Sequence, residues 1–224
     1  MLVFQPIGVG NHDRAVAGQR HRRTFASSFA TYAHRAQYRD SRKTRVILSH
    51  PGASIPNDIS AFSVPAFLRG HAILADLLRK AETHAAERKI APSVLLTARL
   101  FPDMFTLTGQ VQAACDTAKR ATARLVGAEP PRFEDNEATF DELHDRIRRT
   151  SAYVESHAAD GFLGEDQKIE MQTRSTVVSL TPREYLTRFA LPNFYFHITT
   201  AYDILRHNGV VLGKGDYLGN MSSA

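Results

Sequence analysis

The stretch TPREYLTRFALPNFYFHITTAYDILRHNG, residues 181–209, reads as one long helix. Thr181 followed three residues later by Glu184 is a capping box, and Pro182 suits the first helical position. Leu186, Ala190, Asn193, His197, Ala201 and Ile204 recur at steps of three and four, so they share one face. Asn208-Gly209 supplies the stop. Pro192 lies inside and predicts a kink, because its ring clashes with the preceding turn. An apolar face carrying one Asn and one His asks what those two polar groups meet in a protein interior.

Working outward from this helix, the same periodicity appears three more times. Val64, Phe67, His71, Leu74, Leu78, Ala81 and Ala85 mark a first helix running to about Arg88, with Ser63 as its cap and Pro65 in its first turn. A short helical turn follows Pro92. A second long helix is predicted to start at Pro102, with the stripe Met104, Leu107, Val111, Ala114 or Cys115, Ala118, Thr122 and Leu125, and to stop at Gly127. A third opens at the capping box Thr139–Glu142, and its stripe is Phe140, Leu143, Ile147 and Val154. Between the third and fourth helices, Ile169 and Met171, then Val178 and Leu180, alternate with polar residues, which predicts a small β-hairpin. The expected fold is all-α: an antiparallel up-down four-helix bundle over residues 59–220, with a hairpin insertion.

Residues 1–58 differ in composition. They hold nine Lys and Arg against three Asp, a charge of +6, while the remaining 166 residues carry −1. The basic character therefore belongs to this extension, and the folded part has no positive excess to attract nucleic acid. Acid-poor, Arg-rich composition is that of a mitochondrial presequence; a disordered extension or a misassigned start are the other readings. The expected location is the cytoplasm, or the mitochondrion if residues 1–58 are a presequence. No apolar run approaches the roughly 18 residues of a membrane span, so no membrane association is expected. A single cysteine excludes an intrachain disulfide and any four-Cys metal cluster.

The usual catalytic signatures are absent: there is no GxSxG, GxxxxGK, HExxH or EF-hand pattern. Cys115 lies on an apolar stripe, where a thiol reads as inert core. His71 reads as a buried, hydrogen-bonded histidine. The informative set is polar. Asn193 and His197 stand one turn apart, with Thr200 a turn further. Asp103, Gln110 and Thr117 are spaced by seven on the second long helix. If these two helices face each other, Gln110, Asn193 and His197 converge. A ligand pocket and a polar network that merely fixes helix register are the two readings.

The runs RLFPDMF (99–105), QVQAACDTAK (110–119), FEDNEATFDEL (133–143) and FALPNFYFHITTAYDILRHNGVVLGKGDYLG (189–219) resemble domain-of-unknown-function family 1993, a family of uncharacterised fungal and bacterial proteins. That family resembles the DinB/YfiT-like superfamily of four-helix bundles. Many of its members hold a divalent metal on three histidines, and some are thiol-dependent transferases or isomerases. The resemblance implies that Asn193-xxx-His197 occupies the place of a metal-binding HxxxH pair and Gln110 that of the third histidine. One of the three remains. The expectation is a small-molecule binder without a cofactor. Asn193, Gln110, Asp103 and Thr200 would line its site, and His197 would be the catalytic base or hydrogen-bond donor. The alternatives are an enzyme, a transferase or hydrolase, with zinc or nickel on His197 and Asp103, and a bundle serving dimerisation. A homodimer is expected.

Overall fold

In the computed structural model, residues 59–159, 161–172 and 175–219 are described. The basic extension 1–58 lies outside the described residues. Four long helices account for most of the fold: α1 (Ile59–Arg88), α3 (Leu107–Val126), α4 (Phe140–Ser156) and α6 (Leu191–His207). Short helices α2 (Pro92–Leu96), α5 (Pro182–Tyr185) and α7 (Lys214–Leu218) and a two-stranded antiparallel sheet complete it.

Local chemistry accounts for most of the helix ends. Thr139 accepts from the Glu142 amide while the Glu142 carboxylate accepts from Thr139 N at 2.9 Å, so both predicted capping interactions form. Thr181 and Glu184 repeat the arrangement at the head of α5. Gly127 closes α3 with a left-handed φ of 71°, where a side chain would be strained. Two starts differ from the sequence reading. α3 begins at Leu107, not Pro102, because Thr106 accepts from the Gly109 amide, whereas Phe101 before Pro102 offers no capping oxygen. α1 is already helical at Ile59, the first described residue, whose side chain is buried in the core. Ser63 is therefore inside the helix, and its hydroxyl donates back to Ile59 O at 2.8 Å. Pro65 accordingly lies inside the helix, beyond its first described turn.

Pro192 acts on the backbone through a π-helical turn, Leu186–Ala190, in which Leu191 N–H bonds to Leu186 O. The extra residue in this turn relieves the clash between the proline ring and the carbonyl four residues before it. The hairpin forms as predicted, β1 (Ile169–Gln172) against β2 (Val177–Leu180), with Ile169 opposite Leu180 and Met171 opposite Val178. Ile169 and Leu180 anchor it in the core.

The long helices pack in the order α1, α4, α3, α6 around a shared core, α6 closing back on α1. In a simple up-down bundle each helix packs on the next in sequence. Here α4 and α6 do not pack as a pair, and the hairpin segment carries the chain between them. Phe194 sits at the centre, edge-on to Phe67 at 5.1 Å and to His71 at 5.6 Å. Gly70 permits this approach, since a Cβ there would overlap the Phe194 ring. Burying each such aromatic or leucine side chain contributes about 1.5–3 kcal/mol. Among the described residues α1 is long and apolar enough to cross a membrane, contrary to the sequence reading; its apolar face packs on α4 and α6.

Candidate functional site

α3 meets the α5–α6 segment along a polar edge built of three cross-links, two to α6 and one to α5. His197 Nδ1 lies 2.8 Å from Gln110 Oε1, Asn193 Nδ2 donates to Thr117 Oγ1 at 2.8 Å, and Arg124 Nη1 donates to the Tyr185 hydroxyl at 3.1 Å. Gln110, Thr117 and Arg124 are seven apart, which on a helix is about two turns, so they stand nearly in line along α3. Their partners descend in sequence as they ascend, so the two segments run antiparallel.

The first cross-link determines the state of His197. Gln110 is 1% exposed, and its amide nitrogen donates to Phe105 O at 3.4 Å. Its carbonyl oxygen therefore faces the imidazole, and an acceptor facing Nδ1 requires Nδ1 to carry the proton. The Nε2 lone pair is left open: among the described residues Nε2 has no hydrogen-bond partner, and the ring lines a cleft of about 630 Å³. Burial lowers the His197 pKa below its usual 6.5, so the ring is neutral at pH 7. Phe105 stacks on it at 6.4 Å and Phe196 meets it edge-on at 5.4 Å.

The second cross-link works similarly. The Thr117 hydroxyl donates to Ala113 O at 2.7 Å and accepts from Asn193, so its proton is committed. Asn193 uses its amide nitrogen there and keeps its carbonyl oxygen for the cleft it lines. At the third, the π turn sets Tyr185 and Phe189 on the cleft wall as a stacked pair 5.9 Å apart. Such turns recur at binding sites. Met171, on the hairpin, also lines the cleft.

Gln110 thus meets His197, but it is buried behind the imidazole and does not line the cleft, whereas Asn193 lines the cleft and meets Thr117. Asp103 is apart from both pairs: with α3 starting at Leu107 it lies exposed in the preceding turn, outside the cleft lining. Thr200 is also outside it, its hydroxyl bonded to Phe196 O at 2.8 Å along its own helix. Cys115 is buried in the core and its thiol is pushed up to about 12, chiefly by burial, so it stays protonated and unreactive. Sequence reasoning missed Arg124. The signal was present, one heptad beyond Thr117, but the register was extended toward Asp103 instead.

A second cluster, of which Asp116, Arg120 and Asp135 reach the cleft lining, was also missed. Arg146, on α4 and 1% exposed, bonds Glu137 and Glu134 O through Nη1, and Asp116 and Asp135 through Nη2. Lys119 and Arg120 also pair with Asp116, at 2.9 Å each. Phe133 lies under Lys119 and Arg149, each 4.3 Å from the ring centre. This cluster folds the 128–139 connection back against α3 and α4 and forms the floor beneath Asp116.

The donor set does not fit the divalent metal that the family resemblance implies. Among the described residues no three His, Cys, Asp or Glu side chains converge on a point. Gln110 turns its oxygen to the His197 ring and Asn193 turns its amide to Thr117, so neither helps complete a common coordination centre.

Four long helices, a small hairpin and a solvent-open cleft between α3 and α6 define a mostly helical domain. The chain belongs to the family described as Domain of unknown function (DUF1993), which matches residues 59–218. It is similar to the crystal structure of a DinB family member protein from Shewanella denitrificans, with 39% identity and a TM-score of 0.64 over 74% of this chain and 94% of that one. No curated protein matches it.

Proposed function

We propose that the cleft between α3 and α6 binds a small organic molecule without a metal, and that His197 Nε2 accepts a hydrogen bond or a proton from it. The observation that carries this reading is the Gln110 amide, held by Phe105 O so that it presents an acceptor to Nδ1. A neutral imidazole with its tautomer set, its ring partly buried and Nε2 open is the form a general base requires. The cleft volume of about 630 Å³ lies within the range of roughly 300–1,000 Å³ usual for small-molecule sites. We also propose that the bundle pairs with a second copy, a role separate from the cleft.

A fragment screen by NMR, with untagged full-length protein, tests the reading. The expected result is a set of O–H or N–H donors that shift the His197 ring signals and the Asn193 amide. His197→Ala should weaken them about tenfold, the worth of one hydrogen bond. Their binding should also fade as pH falls through the His197 pKa, below 6.5, because a protonated Nε2 cannot accept. Stoichiometric zinc or nickel in wild-type protein that is lost in His197→Ala would overturn the metal-free reading. Fragments that bind with no dependence on His197 would overturn its role.

A further inference from the structure

We infer that the ligand of this cleft carries a carboxylate, recognised by Arg124, on an apolar or aromatic body whose other end reaches Asn193 and His197. The inference rests on the small-molecule reading above and names the chemical class that reading leaves open.

Charge distribution carries the argument. Of the carboxylates at the cleft and its floor, Asp116 is engaged by Lys119, Arg120 and Arg146, and Asp135 and Glu137 by Arg146. Four cations, counting Arg124, face three carboxylates, and the uncompensated one is Arg124. Among the described residues its guanidinium has no carboxylate partner; it donates once, to a neutral phenol, and lies over the Tyr185 ring at 5.7 Å. It is half-buried and lines the cleft. A guanidinium partly withdrawn from water, with most of its N–H groups unclaimed, suits a planar two-oxygen anion, which it grips by two parallel hydrogen bonds.

The wall beside it is apolar, formed by the stacked Tyr185–Phe189 pair and Met171, with Phe105 nearer the His197 end. Along α3, Arg124 is about 10 Å from Thr117, the residue that holds Asn193. The cleft therefore presents an anion reader at one end, acceptors at the other and an aromatic wall between them. A compact phosphate would engage only the first. A neutral lipid chain would engage only the wall.

The test uses 4-(4-hydroxyphenyl)butanoate and its primary amide, titrated into full-length protein and followed by NMR and calorimetry. The acid should bind about 10- to 100-fold more tightly than the amide, the range for a charge-assisted hydrogen-bond pair. Arg124→Gln should abolish the difference by weakening the acid more than the amide, and Arg124→Lys should keep part of it. Equal affinities on wild-type protein, with His197→Ala weakening both compounds, would overturn the carboxylate inference and leave the cleft reading standing. A preference that survives in Arg124→Gln would overturn the role of Arg124. Absence of binding by either compound at millimolar concentration would overturn both. The acid–amide comparison on wild-type protein needs no variant to fold.

Discussion

α3 carries two polar clusters, one toward α4 and one toward α6, and they differ in what is left over. Toward α4, Arg146 spends both terminal nitrogens on Glu134 O and three carboxylates, leaving only Nε without a partner. Toward α6, each side chain makes one bond to its neighbour helix and keeps a group in reserve: Nε2 of His197, the carbonyl of Asn193, most of the Arg124 fork. The first arrangement is closed and holds the 128–139 connection. The second is open and faces a cleft. Polar residues on a helix interface thus do not by themselves mark a site; unspent hydrogen-bonding capacity next to a cavity does.

The difference can be broken most forcefully at Arg146. Replacing it with Met removes the cation and leaves Glu137 and Asp116 facing each other beside the core. Loss of one partner from a buried ion-pair network costs about 3–5 kcal/mol, and the lower end applies because Asp116 keeps Lys119 and Arg120. Urea unfolding measures it. A loss under about 1 kcal/mol would show that the closed cluster is no clamp.

Two buried histidines repeat the contrast. His71 bonds Ser151 through Nδ1 at 3.0 Å, and its Nε2 is buried with no partner. Burial lowers its pKa from 6.5 to about 4. The unfolded chain therefore binds a proton between these values while the folded protein does not, and stability falls as pH drops from about 6.5 to about 4. The full window corresponds to about 3 kcal/mol. His71→Leu should flatten that slope, as read from denaturation midpoints at stepped pH; an unchanged slope would assign the acid sensitivity elsewhere. His197, with its open nitrogen, should instead show its titration in ligand binding.

What could be read from the chain follows the same division between local and distant causes. The capping boxes at Thr139 and Thr181, the stop at Gly127 and the hairpin are written in adjacent residues, so composition and spacing revealed them. The Gln110–His197 approach was legible because a seven-residue spacing and a four-residue spacing each define a helix face. The packing order was not, because it depends on how the 89–106 and 157–181 connections cross the bundle. Nor was Arg146, although it neighbours Leu143, Ile147 and Thr150 on the buried stripe: an arginine in a charged helix reads as solvated until a distant loop supplies its acceptors. Arg124 was hidden by Pro102, which suggested a helix start five residues too early and drew the polar register toward Asp103.

The smallest expected effect is also the sharpest for the open cluster. Asn193→Leu removes one hydrogen bond, worth about 1 kcal/mol, from a residue that is only half-buried. Thr117 remains satisfied, since its own proton goes to Ala113 O. The added apolar surface meets the α3 face that Asn193 now contacts, and its burial offsets a similar amount. Net stability should therefore change by less than about 1 kcal/mol, while fragment binding at His197 weakens. A residue kept for function rather than for the fold behaves in this way, because its unspent carbonyl costs desolvation that leucine does not. A destabilisation above about 2 kcal/mol with binding intact would make this cluster structural, of the same kind as the one around Arg146.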